Sequence, residues 1–383
     1  MNTSPDQSLL RHARWRLSSN TVGLFDPGSE RTKLLALTTA AIAWLPTAIL
    51  ALIQGPSYFR LFLIDFAAQS RLLVVIPLMI VAEPWMIERW EMIARHFMTI
   101  DLIRKEDDTR FKEAFETFEK ERHRWSSQLA ILVAVYGVAV AAVPYVHLVP
   151  PWCSGTQVFG KMSLPGASYL LVSLPVLVYL VFRWIWNIAL WSLFLCKVSM
   201  FNLRLVPSHP DLMGGLSFLE TSLRGYLPFA FSIGTIVAGG IANQTIHLKK
   251  PLTAFRVDGI FMVVLVISIC VAPLCTFYES LMQAKRRGTF EYGSLAVGIG
   301  HHFEVKWLKS AQHVDATALE APDFSSTTDS YSIVANVRQM KPVPFGVQAV
   351  TRLVVFTLIP VLPVALSSVP FDVLLDRIIK LLL

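Results

Sequence analysis

Long apolar segments without charged residues recur along this chain, and they restrict the structures that it can form. A helix of about 20 apolar residues is needed to cross the hydrocarbon core of a membrane. Segments of this kind cover residues 34–59, 128–149, 162–182, 225–248, 259–278 and 353–371. The pattern predicts an all-α protein, a polytopic bundle of membrane-spanning helices.

The composition supports this prediction. Of the 383 residues, 54% are hydrophobic and 16% are charged, whereas soluble domains carry roughly 25% charge. The formal net charge is +7, which in a membrane protein reflects Lys and Arg retained on the cytoplasmic side. The sequence lacks RNA-binding and zinc-finger patterns, so we predict no nucleic-acid partner.

A further span is predicted near residues 72–87, where the apolar segment is short. Only residues 72–82 are uncharged, so a crossing here must include Asp65 and Arg71 on one side or Glu83 on the other. Seven crossings with a cytoplasmic N-terminus place most Lys and Arg on one side of the membrane, more completely than six crossings do. We therefore predict about seven transmembrane helices, with residues 72–87 as the span that the sequence supports least.

These spans divide the chain into regions. The segment 88–124 has dense charges of both signs and no Pro or Gly, which predicts a cytoplasmic helix or helical hairpin. The predicted regions are a cytoplasmic N-terminal arm at 1–33, spans one to six at 34–283 with the charged helix 88–124, a cytoplasmic loop region at 284–346, and a last span with an amphipathic C-terminal helix at 347–383.

Aromatic residues give two more predictions. Phe111, Phe115 and Phe118 recur at helical spacing and predict an apolar stripe on the charged helix. Nothing turns the chain after the fourth span, so that helix should continue past the membrane. Trp184, Trp186 and Trp191 on this continuation are expected in the aromatic belt at the membrane interface.

The connector at residues 203–220, "LRLVPSHPDLMGGLSFLE", is the most distinctive string. Its Pro and Gly residues are typical of a rigid link, and Ser217 and Glu220 have capping-box spacing for the fifth span. A functional alternative uses His209 and Asp211 as a proton-handling or ion-binding pair. The sequence leaves both interpretations open.

Charged residues near the second span are the main candidates for a pathway. A charge at membrane depth is costly and usually faces the protein interior or an aqueous cavity. Asp65 and Arg71 are six positions apart and do not share a helical face, so we expect no direct pair between them. Interfacial placement of these charges is the competing interpretation. The complete candidate set is Asp65, Arg71, Glu83, His209, Asp211, Glu220 and Arg224.

No cofactor or metal is predicted. His301, His302 and Glu304, with His313 and Asp315 later in the chain, lack the spacing of metal ligands. The sequence contains no P-loop, nucleophile elbow, zinc-protease or dinucleotide fingerprint. These absences make an enzyme the less favoured class, and a membrane enzyme would need His209 and Asp211 beside a lipid-accessible cavity.

The chain resembles a family of uncharacterised bacterial inner-membrane proteins. The strings that carry the resemblance are "RLFLIDFAAQSRLLVVIPLMIVAE", "FRWIWNIALWSLFL", the connector and "VRQMKPVPF". The resemblance covers most of the chain. It implies a multi-pass location in the bacterial inner (cytoplasmic) membrane and implies no activity.

Two functions are consistent with these patterns. The first is an integral membrane protein, assembled as a homo-oligomer in the lipid bilayer, that forms or gates a pathway for an ion or small solute. In it, Asp65, Arg71 and Glu83 line the path, and His209 and Asp211 lie at its cytoplasmic mouth. The second is a non-transporting scaffold or accessory subunit that docks a partner through its cytoplasmic helices.

Overall fold

The computed structural model describes residues 30–142, 152–153, 162–309 and 322–367. The regular structure of these residues is helical, which confirms the predicted all-α membrane bundle. We number the helices in chain order. They are α1 (Glu30–Gln54), α2 (Pro56–Leu63), α3 (Phe66–Thr99), α4 (Asp108–His123), α5 (Trp125–Ala142), α6 (Leu164–Ser199), α7 (Ser217–Ile246), α8 (Leu252–Cys275), α9 (Tyr278–Phe303), α10 (Pro322–Gln339), α11 (Val347–Leu358) and α12 (Val361–Ser367).

Five helices of the described chain, α1, α3, α6, α7 and α8, are long and apolar enough to cross a membrane. Two bent pairs could each supply one more span: α4 with α5, which meet at 46°, and α11 with α12, which meet at 51°. The chain is therefore a multi-pass membrane protein with five to seven spans. The predicted seven is the upper end of this range.

The second predicted span lies within α3, which is 34 residues long. The short uncharged segment is thus part of a much longer helix that includes Arg71 and Glu83. Asp65 is the N-cap residue that precedes this helix. A helix of this length can cross the membrane because its charged side chains find partners on other helices.

Two π-helical turns lie within the apolar helices, Ser70–Val75 in α3 and Tyr169–Ser173 in α6, and a third, Glu304–Lys309, follows α9. Such turns are rare and often lie near functional sites. The two turns are adjacent, because Arg71 Nη1 donates a hydrogen bond of 3.3 Å to the hydroxyl of Tyr169. Both local distortions are therefore at the same end of the bundle.

The charged helix predicted at 88–124 is a hairpin, formed by the end of α3 and by α4. Phe111, Phe115 and Phe118 are buried, and the Phe115 and Phe118 rings lie 5.6 and 5.9 Å from the ring of Phe194 on α6. The predicted apolar stripe is confirmed. It attaches α4 to the long extension of α6.

The fourth span continues as predicted, since α6 runs to Ser199. The expected aromatic belt is wrong for Trp184 and Trp191, because both side chains are fully buried. The Trp191 ring stacks on Trp90 with 5.2 Å between centroids, and Trp184 donates a hydrogen bond of 3.1 Å to the carbonyl oxygen of Met79. These tryptophans join α6 to α3 inside the protein. Spacing alone does not distinguish a lipid-facing tryptophan from a buried one.

Helix α7 lies at the centre of the contacts and packs closely on its neighbours. Gly234 faces the backbone of α11, where a Cβ atom would overlap with the carbonyl oxygen of Thr357. Gly239 faces the start of α3, where a Cβ atom would lie 3.0 Å from the Cα atom of Ala67. Gly240 faces open space. Small residues at these two positions allow the helix backbones to approach.

We predict that Gly234→Ala lowers the thermal unfolding midpoint of the purified protein in detergent. Overpacking of a close helix contact costs about 1–3 kcal/mol. The matched control is Gly240→Ala on the same helix, where a Cβ atom meets nothing within 4 Å. The control should match or slightly exceed the wild-type midpoint, because Ala favours the helix. Equal midpoints for the two variants would contradict the close packing of α7 on α11.

Candidate functional site

Asp65 is buried, with 4% of its surface exposed. Its Oδ1 atom accepts hydrogen bonds from the Ala68 amide at 3.0 Å and the Asn243 side chain at 2.7 Å. Its Oδ2 atom accepts one from the Trp152 indole at 2.8 Å. The Asn243 oxygen in turn accepts from the Phe66 amide at 2.9 Å. The carboxylate therefore joins the start of α3 to the end of α7 and to Trp152.

Arg71 lies one to two turns further along α3 and does not pair with Asp65. It donates a hydrogen bond to Tyr169, as described above, and its buried Nε atom has no hydrogen-bond partner among the residues that the structure describes. The expectation that Asp65 and Arg71 do not form a direct pair is thus confirmed. Both are close to one end of the bundle, but they contact different helices.

Glu83 has a separate set of partners. Its Oε1 atom accepts hydrogen bonds from Arg183 Nε at 2.8 Å and from Asn187 Nδ2 at 3.1 Å, both on α6. Arg183 Nη1 also donates to the Tyr179 hydroxyl at 3.4 Å, and that hydroxyl donates to Gln128 on α5 at 2.7 Å. This network joins α3, α5 and α6 through polar side chains that are buried or partly buried.

Sequence reasoning missed Arg183 and Asn187 as site residues. Arg183 follows directly after the predicted apolar segment 162–182 and lies within the observed helix α6. The two residues are four positions apart, so they share one face of α6. That spacing, in an otherwise apolar helix, was the available signal for a buried partner of Glu83.

A groove lies between α1, α3, α5 and α6, and we call it the span groove. Its volume is about 400 Å³. Glu83 and Arg183 are at its wall, and their side chains are 5% and 24% exposed. Apart from these two, the lining is mainly apolar and includes Leu35, Thr39, Ile80, Leu132, Tyr136, Leu171, Val172, Pro175, Val176, Tyr179 and Leu180.

The predicted pathway residues do not converge on one cavity. Glu83 follows Asp65 by 18 positions, which is about 27 Å along a helix. The span groove includes Glu83 but neither Asp65 nor Arg71. The second span thus carries two separate polar sites, one at each end.

The predicted His209–Asp211 pair is present in the connector. His209 Nδ1 lies 2.8 Å from Asp211 Oδ1. The same carboxylate accepts hydrogen bonds from the backbone amides of Met213 at 2.8 Å, Gly215 at 3.2 Å and Ser217 at 3.1 Å. Burial alone raises the pKa of Asp211, but these hydrogen bonds outweigh burial and hold its pKa below the ordinary aspartate value.

The carboxylate of Asp211 organises an unusual backbone. Leu212, Gly214 and Gly215 have φ angles of 58°, 65° and 93°, values that glycine adopts without a Cβ penalty. The Leu212 carbonyl oxygen accepts a hydrogen bond of 2.7 Å from the Lys341 amide. Asp211 therefore stabilises a rigid link that other segments pack against.

Glu220 is the last residue of the connector, and Arg224 lies one turn after it. The predicted capping box is wrong, because the turn that starts α7 has no side-chain cap. Instead, Glu220 Oε2 accepts a hydrogen bond of 2.8 Å from the Gly346 amide and joins α7 to the segment before α11. Arg224 is exposed and lines a second groove, at the opposite end of the bundle from Asp65.

Some of the residues considered as metal ligands lie among the residues that the structure describes, and others do not. Among the described residues, no three His, Cys, Asp or Glu side chains are grouped as metal ligands would be. His301, His302 and Glu304 lie on α9 and the turn that follows it. His313 and Asp315 lie outside the described residues, as do residues 1–29 of the N-terminal arm and the C-terminal amphipathic segment. Residues 30–33, which were predicted to belong to the arm, form the start of α1.

We predict that Asp211→Asn destabilises the protein at pH 7 by about 1–3 kcal/mol, because an NH2 group replaces one of the two acceptor oxygens and the backbone amides lose a charged acceptor. The pKa of Asp211 is lower in the folded state, so its stabilisation is complete above the unfolded value of about 3.9 and is lost as the pH falls through the folded pKa. The midpoint gap between wild type and variant should therefore narrow between pH 7 and pH 3. The control is Asp258→Asn, an exposed aspartate. A gap that is constant with pH would contradict this role.

Neither a protein-family model, nor a curated protein, nor a solved structure matches this chain. The functional argument therefore depends on its own residues. The apolar helices and the buried polar networks that join them are those of a multi-pass integral membrane protein.

Proposed function

We propose that this protein forms or gates a membrane pathway for a small amphipathic solute, which enters through the span groove beside Glu83 and Arg183. The observation that carries the proposal is the position of this pair. Among the predicted pathway residues of the second span, Glu83 alone lines one of the described grooves. It does so together with a partly exposed arginine from another helix.

The accessibility of the pair favours an anionic head group. Arg183 is more exposed than Glu83, so a ligand in the groove meets the guanidinium first. A guanidinium presents a fork of N–H donors that matches carboxylate and phosphate oxygens. The network with Glu83, Asn187 and Tyr179 fixes its orientation.

The shape and lining of the groove favour an apolar body for the same solute. A volume of about 400 Å³ lies within the range of small-molecule sites, about 300–1,000 Å³. Leu132, Leu171 and Val176 are among the apolar residues that line it. Asp65, in contrast, has partners for both of its oxygens and is better explained as a structural residue.

The scaffold alternative has its own support. Beyond the spans, Phe290, Val297 and Leu308 are 79%, 74% and 73% exposed on α9 and the turn after it. Exposed apolar residues outside a membrane often mark a surface for another protein. A partner bound here would favour a docking role through the cytoplasmic helices.

The proposal also includes the membrane in which the protein lies, its orientation and its assembly. We propose that the protein lies in the bacterial inner membrane with its N-terminal arm in the cytoplasm, as the distribution of Lys and Arg predicts. A homo-oligomer remains the predicted assembly. The five to seven apolar helices are compatible with both proposals.

We predict that the wild-type protein in liposomes moves a single-chain alkyl phosphate carrying an NBD fluorophore between the two leaflets. Dithionite reduces only the outer-leaflet fluorophore, so a pathway removes the protected fluorescence. Arg183→Gln should slow this movement at least tenfold, because a hydrogen bond to a charged group contributes about 1.5–3 kcal/mol. Glu88→Gln, at an exposed position on the same helix as Glu83, should leave the rate unchanged.

Glu83→Gln should affect binding of the alkyl phosphate in the opposite direction from Arg183→Gln. It removes the negative charge beside Arg183, so it should tighten binding of the same alkyl phosphate in native mass spectrometry. Protected fluorescence equal to that of protein-free liposomes would contradict the pathway and leave the scaffold as the candidate. Equal rates for wild type and Arg183→Gln would show that the solute does not use this groove.

A further inference from the structure

Two arginines from different helices lie beside a second groove, which we call the arginine groove. Arg89 is on α3 and Arg224 is near the start of α7. The helices touch here, since a Cβ atom on Gly225 would lie 3.5 Å from the Cα of Met86 and 3.6 Å from the Cδ of Arg89. The groove has a volume of about 400 Å³. It is distinct from the span groove.

The charges of both arginines lack a carboxylate partner. Within the described part of the chain, neither guanidinium forms an ion pair with Asp or Glu. Arg89 Nη1 donates a hydrogen bond of 3.3 Å to the Trp85 carbonyl oxygen, one turn earlier on its own helix. Arg224 is exposed. Two positive charges of this kind attract an anion.

The rest of the arginine groove is apolar. Its lining comes from α3, α7 and α11 and consists of Leu78, Ala82, Trp85, Gly225, Leu227, Pro228, Phe231 and Phe356. Trp85 is 49% exposed. A half-exposed tryptophan beside two arginines is typical of the boundary between hydrocarbon and head groups.

We propose that the arginine groove binds an anionic phospholipid, with its phosphate between Arg89 and Arg224 and an acyl chain along the apolar wall. Basic pockets between transmembrane helices on the cytoplasmic side bind anionic head groups. The sequence places this end of α3 and α7 on the cytoplasmic side. The apolar wall favours a lipid over a soluble anion, because free phosphate has no apolar part that could contact these residues.

This site does not depend on the proposed pathway. It uses other residues and another groove, and a bound lipid here would join α3, α7 and α11. Stabilisation by ligand follows from binding to the folded state alone. Anionic lipid should therefore raise the thermal unfolding midpoint more than neutral lipid does.

The test is native mass spectrometry of the purified full-length protein with phosphatidylglycerol or phosphatidylcholine of identical acyl chains. We expect wild type to bind phosphatidylglycerol at least tenfold more tightly. Arg89→Gln with Arg224→Gln should reduce phosphatidylglycerol binding to the phosphatidylcholine level. The double lysine variant, which keeps both charges, should retain most of it.

Two controls make the result specific. Arg104→Gln removes an exposed arginine in the turn between α3 and α4 and should leave phosphatidylglycerol binding unchanged. Lys105→Gln, at another exposed position of the same turn, should also leave it unchanged, which shows that the effect belongs to the two groove arginines and not to surface charge in general. Each single variant, Arg89→Gln and Arg224→Gln, should weaken binding at least threefold, so the test does not depend on the double variant.

Three results would overturn the proposal. The first is equal binding of the two lipids by wild type. The second is unchanged phosphatidylglycerol binding in the folded Gln variants. The third is displacement of the lipid by millimolar inorganic phosphate, which would identify a soluble anion as the ligand.

Discussion

The pairing of the buried Glu83 with the partly exposed Arg183 is the interaction on which this account depends. The hydrocarbon core offers no water to solvate a charge, so an ionised side chain on a span needs a partner from another helix. Glu83 is 4% exposed and accepts hydrogen bonds from two residues of α6. With this pairing, α3 can be a membrane-spanning helix of 34 residues despite the charges in its sequence. The same contact places a guanidinium at the wall of an apolar groove.

The other polar residues form two groups: those that stabilise the fold through hydrogen bonds and those that are exposed in grooves. Asp65 and Asp211 each accept hydrogen bonds from several donors and fix backbone positions at the two ends of the bundle. Buried polar groups with complete hydrogen bonding stabilise one arrangement of the chain. Arg89, Arg183 and Arg224 are at least partly exposed in grooves. The accessible charges on these grooves are therefore positive, which is why anionic ligands are favoured in both proposals.

Much of the fold could be predicted from the sequence, because apolar length and charge density reflect the local solvent. The long α6, the charged hairpin and the buried phenylalanine stripe follow from helical spacing and from the lack of Pro or Gly. Contacts between segments that are distant in the sequence could not be predicted in this way. Nothing in the sequence near Asp65 indicates Asn243 as its partner, 178 positions away. The buried Trp184 and Trp191 were misassigned for the same reason, since a tryptophan suits both a lipid interface and a protein core.

A double-mutant cycle at Glu83 and Arg183 tests the central claim most directly. The unfolding free energies of Glu83→Gln, Arg183→Gln and the double variant are measured in the same detergent. If the pair is buried and mutually neutralised, each single variant leaves an uncompensated charge and should cost about 3–5 kcal/mol, with the double variant costing less than the sum. Additive effects of the two substitutions would contradict the account, because they would show that the two side chains do not interact.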